Sequence, residues 1–110
     1  AKPTKAHGNF DFVDWDPISV TANPTGDSFF GVSQMVGNGW EWTSTPFAGF
    51  EGFKPSSYYP TYSANFFDGE HYIIKGGSPR TSRALLRREF RNWYRKEYSY
   101  VYGTIRLVKN

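Results

Sequence analysis

The chain has no cysteine, one methionine, two histidines and no long apolar run among its 110 residues. Each shortage closes off a class of chemistry. Without cysteine there are no disulfides, no thiolate metal sites and no cysteine nucleophile. Without an apolar stretch of about 20 residues there is no membrane span to read, and no signal segment argues for export. The expected location is therefore the cytoplasm. The two histidines, His7 and His71, are far apart in sequence, and neither lies in an i, i+4 helical pair suited to a metal. At this length the chain builds one core rather than two ordinary domains.

What the chain has in quantity is aromatic: Phe, Trp and Tyr make up 20% of it, beside 11 glycines and seven prolines. Aromatic side chains bury large areas with few rotatable bonds, so they suit a domain with little regular structure. Glycine and proline punctuate helices and strands. The net charge is only +3, but it is unevenly spread. Residues 75–97 hold Lys75, Arg80, Arg83, Arg87, Arg88, Arg91, Arg95 and Lys96 against Glu89 and Glu97, while Asp11, Asp14, Asp16 and Asp27 lie in the first forty. Such a segment suits an anionic ligand, a nucleic acid, an acidic surface in the same assembly, or simply solvent.

No internal repeat or low-complexity tract is present. Residues 1–28 read as loop. "GWEWTST" alternates as a strand does, and "HYIIKGG" (71–77) is a strand ending in a glycine pair. Residues 46–70 form a long loop rich in Phe and Tyr, of the kind that is functional or packed by its own side chains. "SPRTSRALLRREF" (78–90) predicts a helix of one to three turns, with Ser78 as N-cap and Pro79 at its first position. "YSYVYGTIRLVKN" (98–110) predicts the clearest strand, paired inside a sheet. The fold class expected is α+β: short antiparallel strands, one or two short helices and long ordered loops.

Residues 35–45, "MVGNGWEWTST", combine a tight turn with a strand. Trp40 and Trp42 share one strand face and Glu41 points to the other. Gly37 and Gly39 permit positive φ, so Asn38 can aim its side chain across the turn. Two readings stand side by side. The Asn38 and Glu41 oxygens, with nearby carbonyls, can hold calcium, or they can tie down loop amides.

The ordered motifs "GVSQMVGNGWEWTST", "KGGS", "FRNWY" and "GTIRLV" resemble the formylglycine-generating-enzyme (sulfatase-modifying factor) superfamily, whose fold is C-type-lectin-like. The resemblance runs from about residue 8 to 108. "HGNFDFVDWDP", "GFKPSSYYPTYSANFFDG" and "FRNWY" look most like the ergothioneine-type non-haem iron sulfoxide synthases, which join a thiol to a histidine betaine. The family's G-G-S-W reads "GGSP" here, with Pro79 in place of the tryptophan.

The resemblance implies a division of labour. Formylglycine-generating enzymes proper use paired cysteines for copper, which this chain lacks. The similar synthases hold iron(II) with three histidines on an upstream helical-bundle domain absent from residues 1–110. The chain is then a single lectin-like domain or the C-terminal part of one, partnered by that iron-binding domain or chain, and inactive alone. By the same motif, Asn92 hydrogen-bonds the betaine and Trp93 walls the pocket. Tyr94 stands where related enzymes often have an acid that meets the thiol, cysteine or γ-glutamylcysteine. Arg87, Arg88 or Arg91 offers a bidentate partner for the thiol's carboxylates. One of Tyr58, Tyr59 and Tyr62 corresponds to a proton-donating tyrosine. Two other classes stand as alternatives: a non-catalytic lectin-like module for ligands or proteins, and a nucleic-acid binder using "RREFRNWYRKEY".

Overall fold

The computed structural model describes residues 2–109. Four strands form one sheet in the order β3-β2-β1-β4: β1 is Trp40–Pro46, β2 is His71–Lys75, β3 is Asn92–Arg95 and β4 is Gly103–Thr104. The β1–β2 and β2–β3 pairs are antiparallel, whereas β4 runs parallel to β1. Among the described residues, helical structure is confined to three single 3-10 turns, Pro24–Gly26, Ala64–Phe66 and Arg83–Leu85. The chain thus has the α+β, C-type-lectin-like character expected of it: a small, curled, antiparallel-rich sheet carried among long ordered loops.

The sheet forms where β-branched and aromatic residues cluster. Central β2 is covered on both faces, so Ile73 and Ile74 are both buried, the latter fully. Register assigns the neighbours. Ile73 lies opposite Trp93, and Ile74 opposite Asn92 and Trp42. Cross-strand partners share a face, so His71, Ile73, Trp93 and Arg95 line one side and Tyr72, Ile74, Asn92, Tyr94, Trp40 and Trp42 the other. Phe47 and Phe67 pack on the first side, Phe90 against Trp40 on the second. Trp40 and Trp42 do share a face, as their spacing predicts.

Two expected elements are much shorter than their sequence patterns suggest. The helix over 78–90 is not formed. Ser78 and Thr81 instead turn their side chains onto backbone: Thr81 Oγ1 accepts from the Ser78 amide (2.9 Å) and Ser78 Oγ from the Arg80 amide (3.2 Å). Such local bonds compete with a helix. Ser82, not Ser78, caps the one 3-10 turn that does form, accepting from the Ala84 amide. Downstream, Lys75 Nζ donates to the carbonyls of Arg88 and Phe90, both at 2.7 Å, and draws that segment onto β2. The strand over 98–110 shrinks to Gly103–Thr104, and its pairing with β1 is parallel. Tyr98 stacks on Tyr94 rather than joining the sheet. Ile105, Leu107 and Val108 are exposed. Residue 110 lies outside the described residues. Conversely, β3 is a strand in a stretch the sequence presents as a basic segment.

The turn before β1 takes positive φ at Gly37 and Asn38 rather than at both glycines. Gly37 has φ +77°, and a Cβ there would stand 2.0 Å from the Asn9 carbonyl oxygen. Asn38 also has positive φ, 63°. Its Oδ1 accepts from the Ile18 amide (2.7 Å) and from Asn9 Nδ2 (3.3 Å), while its Nδ2 donates to the Ile18 carbonyl (3.1 Å). One amide side chain thereby fastens the N-terminal loop to the sheet.

Candidate functional site

An open cavity of about 400 Å³ is lined by Phe66, His71, Asn92, Trp93, Tyr94, Arg95 and Tyr98. Consecutive residues of β3 face opposite sides, so a cavity touched by all four lies along that strand's outer edge. Its walls are rings. Trp93 is stacked on Phe47 and tilted against Phe66 at 5.6 Å, and Tyr94 stacks on Tyr98 with centroids 4.6 Å apart. Tyr100 meets Tyr98 edge-on. Asn92 Oδ1 accepts the Trp93 amide proton (2.9 Å), which blunts the free edge and leaves Nδ2 as its donor.

His71 is the titratable base on this wall. Its Nδ1 is 2.9 Å from both carboxylate oxygens of Asp68, and Phe66 stands edge-on to the ring at 5.2 Å. The Asp68 carboxylate also accepts from the Glu70 and His71 amides, at 2.9 and 3.2 Å. The His71 bond first, then the Glu70 amide, hold the Asp68 carboxyl down to about 2. Arg95, the cross-strand neighbour of His71, pairs with Glu70 at 3.0 Å.

Other residues singled out from the sequence lie elsewhere. Arg91 is tied to the 46–53 loop: its Nη1 donates to the Ala48 carbonyl (3.0 Å), and its guanidinium lies 3.9 Å from the Phe50 ring centroid. Arg87 and Arg88 are exposed and do not line the cavity. Tyr58, Tyr59 and Tyr62 are exposed as well, at 98%, 59% and 66%, and none touches the cavity. Glu41 Oε1 pairs with Arg106 at 2.6 Å, and Asn38 Oδ1 accepts from the Ile18 amide and Asn9 Nδ2.

The residues do not fit an iron site. His7 Nδ1 is engaged by the Thr4 amide and hydroxyl, both at 3.0 Å, and His71 Nδ1 by Asp68. Among the described residues no three His, Cys, Asp or Glu side chains gather as a metal site. Nor, among them, is any helix long and apolar enough to cross a membrane.

Sequence reasoning missed Phe66, Tyr98 and the Asp68–His71 pair as site residues. The spacing D-G-x-H signals a turn in which Asp68 reaches the following amides. The two rings come from segments 32 residues apart, and nothing local in either announces that they meet.

Comparison with known proteins agrees with the motifs. The model of the sulfatase-modifying factor enzyme 1-like domain matches residues 5–110. Ergothioneine biosynthesis protein 1 of Neurospora crassa is 39% identical over 103 residues, which cover 93% of this chain and 11% of that protein. Its namesake in Schizosaccharomyces pombe is 40% identical over 100 residues, 90% of this chain and 12% of the relative. Hercynine oxygenase of Mycobacterium tuberculosis is 37% identical over 107 residues, 97% of this chain and 25% of the relative. The chain thus spans between about a tenth and a quarter of the length of these curated relatives. With nearly all of its residues matched and its ordered motifs in place, the chain belongs to the sulfatase-modifying factor enzyme 1-like family.

Proposed function

We propose that this chain forms the substrate-facing wall of a non-haem iron sulfoxide synthase, which joins a thiol (cysteine or γ-glutamylcysteine) to a histidine betaine. The observation that carries the reading is the aromatic cavity beside Asn92. A trimethylammonium group is attracted to ring faces by about 0.5–2 kcal/mol per good contact, and Phe66, Trp93, Tyr94 and Tyr98 supply such rings. Asn92 Nδ2 is the donor for the betaine's carboxylate. The names of the relatives support the substrate class, hercynine being a trimethylated histidine betaine.

Iron(II), which with dioxygen serves such an enzyme, belongs to residues outside this chain: an upstream helical domain or a partner chain. A cytoplasmic location accords with that chemistry. The thiol's carboxylates fall to Arg87, with Arg91 released from Ala48 or acting through the loop it holds, and the thiol itself to Tyr94. The proton donor is one of Tyr58, Tyr59 and Tyr62, all exposed, so the rest of the protein must cover that loop for the role to be filled.

Asn92→Ala in the complete protein tests the assignment. Betaine binding weakens while iron content stays as in the parent. Unchanged kinetics with the betaine would remove Asn92 from the pocket.

A further inference from the structure

We propose that His71 determines ligand specificity in the cavity, accepting a hydrogen bond through Nε2 from a ligand that carries both a cationic group and an N–H donor. The ligand's class rests on the reading above; the role of His71 comes from its surroundings.

A carboxylate can only accept, so Nδ1, held by both Asp68 oxygens at 2.9 Å, carries the ring proton. In the neutral ring of that tautomer Nε2 presents a lone pair. It has no hydrogen-bond partner among the described residues, and the ring lines the cavity with its side chain only 12% exposed. The dyad is held before any ligand arrives, since backbone amides fix Asp68 and Phe66 fixes the ring edge-on.

The rest of the wall makes this acceptor selective. Asn92 Oδ1 already accepts from the Trp93 amide, and Arg95 can only donate. Nε2 stands among the side-chain acceptors of the wall, beside the phenol oxygens of Tyr94 and Tyr98. The rings alone would take any organic cation of suitable size. His71 adds a demand for a donor on the ligand, such as the N–H of an imidazole.

Two probes separate the contributions in the complete protein. Trimethylhistidine carries a trimethylammonium, a carboxylate and an imidazole N–H; glycine betaine carries only the first two. In calorimetric or NMR titrations, trimethylhistidine binds about 3- to 10-fold more tightly, the worth of one hydrogen bond. His71→Phe removes that preference, read as the ratio of the two affinities. A preference that survives His71→Phe overturns the role of His71 and leaves the aromatic pocket standing. Binding of neither probe overturns both. A second measurement needs no variant: the ¹⁵N shifts of the His71 ring report the tautomer, expected to be protonated at Nδ1. A neutral ring protonated at Nε2, or a ring protonated at both nitrogens, overturns the proposal.

Discussion

Phe47 and Trp93 stack face to face, their ring centroids 4.1 Å apart and their planes within 6°. The contact joins the end of β1 to edge strand β3 and fixes one wall of the cavity. Phe47 is buried and also meets Phe67 edge-on at 4.9 Å. Phe47→Ala leaves a void that the surrounding rings cannot close, at a cost of about 3–5 kcal/mol. Phe47→Leu costs less because it keeps most of the buried volume. Urea midpoints measure both. A loss below about 1 kcal/mol for the alanine variant would mean that the stack does not hold β3.

How far the fold was legible in the sequence depends on the range of the forces involved. β1 and β2 were readable because Trp40, Trp42, Ile73 and Ile74 carry β-forming side chains at strand spacing. The Gly37–Asn38–Gly39 turn was readable because positive φ is a local demand. Residues 78–90 were not, because Ser78 and Thr81 bond the backbone locally in place of a helix and Lys75, at the end of β2, captures the Arg88 and Phe90 carbonyls. β3 was hidden by its charges: Arg91 and Arg95 read as a solvated face, while Trp93 between them is drawn inward by Phe47. Of the cavity, Asn92, Trp93 and Tyr94 were found by motif. Phe66, His71 and Tyr98 join them only through tertiary packing.

The Asp68–His71 pair gives the protein a pH dependence whose sign is fixed. The folded-state carboxyl sits at about 2, below its ordinary value of 3.8. The unfolded chain therefore binds more protons in this range, and stability falls as pH falls. The pair's contribution is complete above the ordinary carboxylate value and is lost between about 4 and about 2. Measured against Asp68→Asn, the parent's advantage is expected to close as pH falls from about 4 towards about 2. It also shrinks in high salt, because the carboxylate stands at the surface. An advantage that persists unchanged at pH 2 would mean that the bond to His71 is not ionic in origin.

Gly37→Ala combines two penalties. A left-handed backbone costs a residue with a Cβ about 1–2 kcal/mol, and here the new atom meets the Asn9 carbonyl oxygen at 2.0 Å. The turn must shift, and with it the bonds of Asn38 to Ile18 and Asn9. A loss of more than about 2 kcal/mol in thermal unfolding is expected. A near-neutral variant would show that the turn relaxes without cost.

Lys75 links β2 to the segment that a helix failed to claim. Lys75→Met keeps the length of the side chain and leaves the Arg88 and Phe90 carbonyls without their donor. The expected loss is about 1–3 kcal/mol, with faster hydrogen exchange in residues 86–91. Burial, and then the charge of Arg91, lower the Lys75 ammonium below its ordinary value of 10.5. The unfolded chain thus holds more protons just below that pH, so the parent gains stability as pH rises towards it. The methionine variant lacks this gain. Equal slopes for the two proteins would show that Lys75 is fully hydrated.

Tyr98 isolates the ring face from the hydroxyl. It stacks on Tyr94 with planes 10° apart and lines the cavity, yet it is 43% exposed and lies outside every strand. Its removal should therefore leave the fold largely intact. Cation–π attraction depends on the ring and not on the hydroxyl, at about 0.5–2 kcal/mol. In the complete protein, Tyr98→Ala is expected to raise the KM for a histidine betaine by about 2- to 30-fold, whereas Tyr98→Phe stays close to the parent. Tyr94 also loses its stacking partner in the alanine variant, so Tyr94→Phe serves as the control that separates loss of the ring from disorder in its neighbour. If Tyr98→Phe were as damaging as Tyr98→Ala, the hydroxyl would be the recognising group, and the cavity would be selecting its ligand by hydrogen bonds rather than by charge against ring faces.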